Sequence, residues 1–397
     1  MTSPSGKWVF ETEMAVKEFR EFQIHTDDSE LEDLRRRLAA TRWPEKETVS
    51  DWSQGIPLEY LQDLCAYWAK DYDWHSRAEK MNRFPQFLSR INGLDIHFIH
   101  QRSPVEDAPA VIMTHGWPGS VVEFLKVIGP LTDPEAHGGR REDAMHLVCP
   151  SLPGYGWSGK PAEPGWGVQK IAETWNQLML KLGYTDYLAQ GGDWGGAVTT
   201  AIGMAALGNC RAIHLNFPLG VPTEAAKKSP TEADLKSFAA IKRYQKWETG
   251  YSTQQKTRPQ SIGYGLVDSP AGLAAWVVEK FQAWTDCNGH PENILSRDEL
   301  LDNLMLYWLP ATGASAARLY WESFDTAFNP TVRVDLPTAC SIFHKEIVPM
   351  PRSWTEARYP NMMYWNEIDS GGHFAAFEQP ELFVREMRAW LQALRSP

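Results

Sequence analysis

Gln190-Gly191-Gly192-Asp193-Trp194-Gly195-Gly196 follows a short apolar run, Tyr187 to Gln190, and opens a helical stretch from Ala197 onward. Small residues two before and two after the middle position allow a sharp strand-to-helix turn that projects one side chain at the top of a sheet. Gly191 and Gly195 hold those positions here, and the projected residue is Asp193. A Gly-rich turn whose Asp merely caps the next helix would read the same in isolation. A dinucleotide-binding fingerprint is excluded, because the GxGxxG spacing is missing.

Around this turn the chain alternates strand and helix. Leu94 to His100 alternates like a strand, and Ala110 to Thr114, His146 to Cys149, Tyr187 to Gln190 and Ala212 to Leu215 are short apolar runs, with a helical pattern from Val168 to Leu182 among them. That rhythm predicts an α/β fold, a mostly parallel sheet with helices on both faces. From Pro218 to about Pro330 the pattern turns helical and loop-rich. Strand signals return at Thr338 to Phe343 and Asn361 to Ile368, before a terminal helix from Glu381. An insertion this late predicts a helical cap over the C-terminal ends of the strands, where open α/β sheets bind ligands. Residues 1 to about 90 read as helical and irregular. A capping box at Ser29 and Glu32 precedes Leu31, Leu34 and Leu38, Trp43-Pro44 marks a stop, and a second helix carries Leu58, Leu61, Cys65 and Trp68. The expected division is residues 1–93, a core first part 94–218, a cap 219–335 and a core second part 336–397.

Composition narrows the function. Fifty acidic against 39 basic residues give a formal charge of −11, which argues against a nucleic-acid surface built on clustered Lys and Arg. Five widely spaced cysteines, Cys65, Cys149, Cys210, Cys287 and Cys340, form no CxxC pair, so neither a disulfide framework nor a structural zinc site is expected. MTSPSGKWVFETEM at residues 1–14 breaks into charge before any apolar stretch and does not read as a signal peptide. No apolar run reaches the roughly 18 residues of a membrane span. A soluble, cytoplasmic protein is expected. The 18 tryptophans serve packing first, and can also line an apolar pocket.

Three further motifs carry chemistry. His115-Gly116-Trp117-Pro118-Gly119-Ser120 directly follows the strand Val111 to Thr114. On an α/β-hydrolase-type sheet such a loop supplies one backbone N–H to an oxyanion, and the residue after the nucleophile supplies the other. Trp117 and Trp194 are the candidates, although an ordinary Pro- and Gly-containing turn would share the sequence. Ser370-Gly371-Gly372-His373 follows the last strand. The order nucleophile, acid, histidine singles out His373, a neutral imidazole suited to deprotonating water at pH 7. The acid is expected at Glu346, 27 residues before His373, with Glu367 and Asp369 as rivals on the same strand-loop as the histidine. A serine nucleophile fails, since Gly154-Tyr155-Gly156-Trp157-Ser158-Gly159 is followed by Lys160 where the second flanking glycine belongs. A carboxylate at the turn instead attacks an sp³ carbon by displacement and leaves an alkyl ester on the protein.

Together these segments resemble the epoxide hydrolases of the α/β-hydrolase superfamily, in the microsomal-type branch with its fungal, insect juvenile-hormone and bacterial members. The resemblance covers nearly the whole chain. It runs through Glu30 to Pro44, Phe84 to Phe87 with Ile96 to His100, residues 115–120, Ser151 to Tyr155, the 190–196 turn and residues 371–381, in family order. In the cap, Thr257-Arg258-Pro259, Asp268-Ser269-Pro270 and Leu306-Tyr307-Trp308-Leu309 are similar as well. The resemblance implies an α/β-hydrolase core, a helical cap and an N-terminal meander. It further implies an apolar epoxide as substrate, a vicinal diol as product, no metal or organic cofactor, and a homodimer through the cap. Asp193 is then the nucleophile, His373 the base and Glu346 its partner. Two cap tyrosines that activate the epoxide oxygen fall on Tyr251, seven residues before Arg258, and Tyr320, thirteen after Tyr307; packing roles fit both equally well from sequence. His115, Gly116, Pro118, Gly191 and Gly195 support the motifs. Two rivals share the aspartate turn: a haloalkane or fluoroacid dehalogenase, for which Trp194 could bind halide, and a non-catalytic ligand receptor of the same fold.

Overall fold

The computed structural model describes residues 18–205, 208–327 and 333–395. Residues 1–14, read above for a leader, lie outside them, as do residues 328–332 at the expected end of the cap.

Among the described residues nine strands form one sheet, in the order β1-β2-β3-β5-β4-β6-β7-β8-β9. The first three are β1 (Arg20–Phe22), β2 (Gln86–Ile91) and β3 (Leu94–Gln101); they pair antiparallel, and β3 joins β5 (His146–Pro150) antiparallel. From there the pairing is parallel through β4 (Ala110–Thr114), β6 (Tyr187–Gly191), β7 (Cys210–Leu215), β8 (Thr338–Lys345) and β9 (Met362–Gly372). Every residue of β4, β5 and β6 is buried, which is why these strands read as unbroken apolar runs: helices cover both faces. Three of those helices are α4 (Leu125–Thr132), α5 (Val168–Lys181) and α6 (Asp193–Ala205). α5 is anchored by Trp175, whose indole N–H donates to Thr114 Oγ1 at the end of β4, 3.0 Å away.

The front of the chain differs from the helical and irregular segment expected there. α1 (Asp28–Ala39), α2 (Leu58–Lys70) and α3 (Trp74–Met81) are present, but β1 and β2 extend the sheet. β1 is only three residues long and carries no apolar alternation, so nothing local marks it. α1 starts two residues earlier than the Ser29 box implied. Asp27 is the N-cap and its N–H donates to Glu30 at 3.2 Å, leaving Ser29 inside the first turn. The helix also ends at Ala39, before Trp43-Pro44. Its buried face is the expected Leu31, Leu34 and Leu38.

Between β7 and β8 lie α7 (Glu224–Lys228), α8 (Glu232–Arg243), α9 (Gly250–Thr257), α10 (Pro259–Asp268), α11 (Pro270–Trp284), α12 (Arg297–Trp308) and α13 (Gly313–Ala327). These helices are tied to core loops by polar contacts. Tyr307 donates to Gly119 O and Asn303 to Pro118 O, both at 2.8 Å. Ser315 donates to Gly154 O at 2.6 Å, and Tyr155 donates to Ala316 O at 3.1 Å. A final helix, α14 (Pro380–Arg395), closes the fold. All five cysteines are buried free thiols. Among the described residues no helix is long and apolar enough to cross a membrane, and no cluster of His, Cys, Asp or Glu could hold a metal ion.

Candidate active site

The turn between β6 and α6 places Asp193 at φ 50°, a left-handed conformation uncommon for a residue with a side chain. Holding it there costs of order 1–3 kcal/mol, and the surrounding packing must impose it. Two glycines make the turn possible. A Cβ on Gly191 would overlap the backbone of Gly195, and a Cβ on Gly195 would overlap Thr114 O at the end of β4. The spacing of small residues in the sequence is thus a record of backbone touching backbone.

Asp193 Oδ1 accepts the Trp117 N–H at 2.7 Å. Oδ2 faces His373 Nε2 at 3.3 Å, and that ring nitrogen has no hydrogen-bond partner of acceptable geometry among the described residues. On its other side His373 Nδ1 meets Glu346 Oε1 at 2.6 Å, and Glu346 is steadied by the Ile347 N–H at 2.7 Å. The histidine main chain is fixed as well, its N–H donating to Trp284 O at 2.9 Å. Burial works against an imidazolium at His373, but the Glu346 and Asp193 carboxylates outweigh it and hold the ring well above the usual histidine range. The neutral imidazole expected from sequence is therefore not the form favoured while Asp193 keeps its charge. Glu367 and Asp369, the rival acids, are exposed on β9, and Glu367 is engaged by the Trp365 indole at 3.1 Å.

Trp194 follows Asp193 in the first turn of α6, where backbone N–H groups lack intrahelical acceptors and favour developing negative charge. His115 holds the 115–120 loop in place. Its Nε2 accepts the Leu152 N–H at 3.2 Å, and Nδ1 lies 3.0 Å from Gly116 O. Burial pushes it down to about 4, so it is a neutral structural ring. Gly116 must lack a side chain because a Cβ there would overlap the Asp193 carboxylate. Pro118 follows Trp117 through a cis peptide bond. Ser158 donates to Ser151 O at 2.7 Å and accepts the His97 N–H, a structural arrangement.

The helices between β7 and β8 bring Tyr251, from α9, and Tyr320, from α13, against Trp117 and Trp194. Tyr251 stacks on Trp117, ring centroids 4.9 Å apart and 8° from parallel, and Tyr320 meets the Trp194 ring edge-on at 4.8 Å. The two tyrosine rings lie 5.8 Å apart. Both phenols are raised well above 10, burial first and then neighbouring groups including Asp193, so both keep their protons at neutral pH. The Tyr251 hydroxyl contacts that of Tyr244 at 3.3 Å.

Four participants escaped the sequence reading. Trp284 ends α11, touches His373 and Tyr251, and accepts the His373 N–H. Tyr244 pairs with Tyr251. Glu378 receives the N–H groups of Asp286 and Phe374 at 2.8 and 3.1 Å and so ties down the histidine loop. Glu123 lines the cavity beside Asp193 and His373. Only Glu378 carried a signal, its place within the 371–381 segment. That cavity has a volume of about 20 Å³, whereas the hollows of about 680 and 600 Å³ include neither Asp193 nor His373. A third, of about 610 Å³, is lined by Tyr244, Trp284 and Glu346 but not by Asp193 or His373. Chemistry, not size, locates the site.

A mostly parallel sheet with an aspartate at the strand-to-helix turn, a histidine and a glutamate on later loops, and a helical insertion between β7 and β8 define the α/β-hydrolase fold. Comparison with known proteins narrows this. Residues 19–124 match the family model for the epoxide hydrolase N terminus, and residues 109–252 match that for the alpha/beta hydrolase fold. The chain is 51% identical over 375 residues to a protein of Stigmatella aurantiaca (strain DW4/3-1) that bears an epoxide hydrolase name, covering 94% of this chain and 85% of that one. It is 34% identical over 407 residues to epoxide hydrolase 1 of Sus scrofa, covering 94% and 89%. The crystal structure of juvenile hormone epoxide hydrolase from the silkworm Bombyx mori superposes with a TM-score of 0.87 at 30% identity, covering 97% and 98% of the two chains. The chain belongs to the epoxide hydrolase family, and its activity is the hydrolysis of an epoxide.

Proposed function

We propose that hydrolysis proceeds through an ester on Asp193. The observation that carries this is the unlike surroundings of its two oxygens: Oδ1 accepts the Trp117 N–H at 2.7 Å, whereas Oδ2 lies 3.3 Å from His373 Nε2. Oδ2 forms a bond to one ring carbon while that carbon's bond to the ring oxygen breaks. Tyr251 and Tyr320 hydrogen-bond the ring oxygen and one of them gives it a proton, so that no bare alkoxide is expelled. Esterification removes the Asp193 charge, one of the two that hold the proton on His373. The imidazolium can then release that proton, which restores the tyrosine through solvent, and become the base for the second step. His373, oriented by Glu346, takes a proton from water as its oxygen adds to the Asp193 carbonyl carbon. Negative charge gathers on Oδ1, at the N–H groups of Trp117 and Trp194. Collapse frees the diol and returns the carboxylate and the imidazolium.

Trp117, Trp284, Tyr251, Tyr320 and Phe324 surround the reacting groups, which favours an apolar epoxide. The helices between β7 and β8 act as the cap, supplying the acid to a base built on the core. A dehalogenase would gain little from two hydroxyls, since halide leaves without a proton.

Diol formation from styrene oxide, followed in parallel with halide release from a brominated alkane, tests the substrate class; diol without halide is expected. His373→Gln tests the route. It should form an intact-mass adduct equal to the substrate and stall, whereas normal turnover without an adduct would remove His373 from this role.

A further inference from the structure

Glu123 has no part in the steps above, yet it sits among the residues that perform them. It belongs to the turn Val121–Phe124 after the 115–120 loop and lines the same 20 Å³ cavity as Asp193, His373 and Gln190. The loop's two glycines make matching allowances. A Cβ on Gly116 would overlap the Asp193 carboxylate, and a Cβ on Gly119 would overlap the Glu123 carboxyl. Backbone space has been left for a second carboxyl beside the first, and its tie to the Ser120 N–H keeps it there.

The cavity is roomy enough to admit a water molecule beside these groups. A buried water also requires two to four polar partners. The wall supplies them: His373 Nε2 and Gln190 Oε1 are both buried without a hydrogen-bond partner among the described residues, and the Glu123 carboxyl is the third. Burial pushes that carboxyl up to about 8, with His373 opposing and Asp193 adding to the shift. A protonated Glu123 therefore avoids placing a second negative charge beside Asp193 in the resting protein.

We propose that Glu123 positions the hydrolytic water, accepting one of its O–H bonds while His373 Nε2 faces the other. The proposal rests on the aspartyl-ester route above. In the step concerned the water oxygen bonds to the Asp193 carbonyl carbon and one proton passes to His373 Nε2. Glu123 neither gains nor loses a proton. When the carbon–alkoxy bond breaks, the departing oxygen takes the remaining proton of the added water and leaves as a hydroxyl of the diol, so that the carboxylate and the imidazolium return. Because the water acts only after the epoxide has opened, Glu123 belongs to ester hydrolysis and not to ester formation.

Single turnovers of the full-length protein with styrene oxide, quenched at intervals and weighed intact, separate the two steps. Glu123→Leu keeps the volume but has no acceptor. It should slow decay of the adduct on the order of 10²-fold, the loss expected from a reactant displaced by about 1 Å, while adduct formation stays within about threefold of wild type. Glu123→Gln retains an acceptor oxygen and should recover most of the decay rate. Gly119→Ala displaces the carboxyl without removing it and should also slow decay, less than Glu123→Leu, which keeps the test open should the leucine variant fold poorly. Wild-type decay in both Glu123→Leu and Gly119→Ala would overturn the proposal, as would equal slowing of both steps. His373→Gln is the control. If it accumulates adduct while the other variants turn over normally, only the role of Glu123 falls; if it too shows no adduct, the ester route falls and this proposal with it.

Discussion

The core and cap halves of the site are held by different forces. On the core side, Asp193, His373 and Glu346 are joined by contacts of 2.6 to 3.3 Å, and the backbone around them is constrained by glycines that no side chain could replace. On the cap side, Tyr251 and Tyr320 are held mainly by ring packing at 4.8 to 5.8 Å, with hydroxyl contacts from Tyr251 to Tyr244 at 3.3 Å and to Tyr320. Directional bonds fix atoms to tenths of an ångström, whereas aromatic packing tolerates sliding. The division suits the proposed chemistry. The attacking oxygen needs one trajectory, while the epoxide oxygen differs in position from substrate to substrate and needs an acid that can follow it.

The largest effect should come from the core. Asp193→Ala is expected to lose turnover by on the order of 10⁴-fold or more, as when any single member of an interdependent catalytic group is removed. Product formation over many enzyme equivalents is the measurement, and residual turnover within tenfold of wild type would mean that water attacks the epoxide directly. Next comes the cap. Tyr251→Phe and Tyr320→Phe should each raise the barrier to adduct formation by about 2–4 kcal/mol, by analogy with the loss of one oxyanion donor. The double variant should lose much more than either single one, because a remaining hydroxyl partly serves for both. Wild-type rates of adduct formation in the double variant would reduce the cap to a packing role and erase the contrast between the two halves.

Smaller effects probe how the core half is tuned. Glu346→Gln leaves a hydrogen-bonding group but removes the charge, so it should slow adduct decay less than His373→Gln and leave adduct formation nearly unchanged. The sign of the charge coupling can be checked without substrate. Since the Asp193 carboxylate helps to hold a proton on His373, Asp193→Asn should lower the pKa of that ring. In a pH titration followed by imidazole NMR, the His373 signal of the variant should change at lower pH than in wild type. No change, or a shift upward, would contradict the proposal that esterification at Asp193 releases the base.

The contrast between the halves also explains what could be seen in the sequence. Backbone constraint leaves local marks: Gly191 and Gly195 around Asp193, Gly116 beneath its carboxylate, and the fully buried strands Ala110–Thr114 and Tyr187–Gly191. Aromatic packing leaves none. Tyr251 and Tyr320 are 69 residues apart and meet only because α9 and α13 pack side by side, so their positions came from family resemblance and not from spacing. Trp284 contributes a main-chain carbonyl to His373, a role any residue type could fill. Glu123 looked like an ordinary acidic residue in a turn, because the space that admits it depends on Gly119 and on residues from four other segments. The short strand Arg20–Phe22 was invisible for a related reason: it is defined by its partner Gln86–Leu88 rather than by its own pattern.

The central claim is that Asp193 becomes bonded to the substrate and is released by attack of water at its carbonyl carbon. A single turnover in ¹⁸O-labelled water, with enzyme in excess over epoxide, tests this directly. Water that attacks the ester leaves its oxygen on the protein, so the peptide containing Asp193 should gain one ¹⁸O and the diol from that first turnover should carry none. Label found in the diol, with the Asp193 peptide unlabelled, would show that water opens the epoxide itself and that the aspartate never forms an ester.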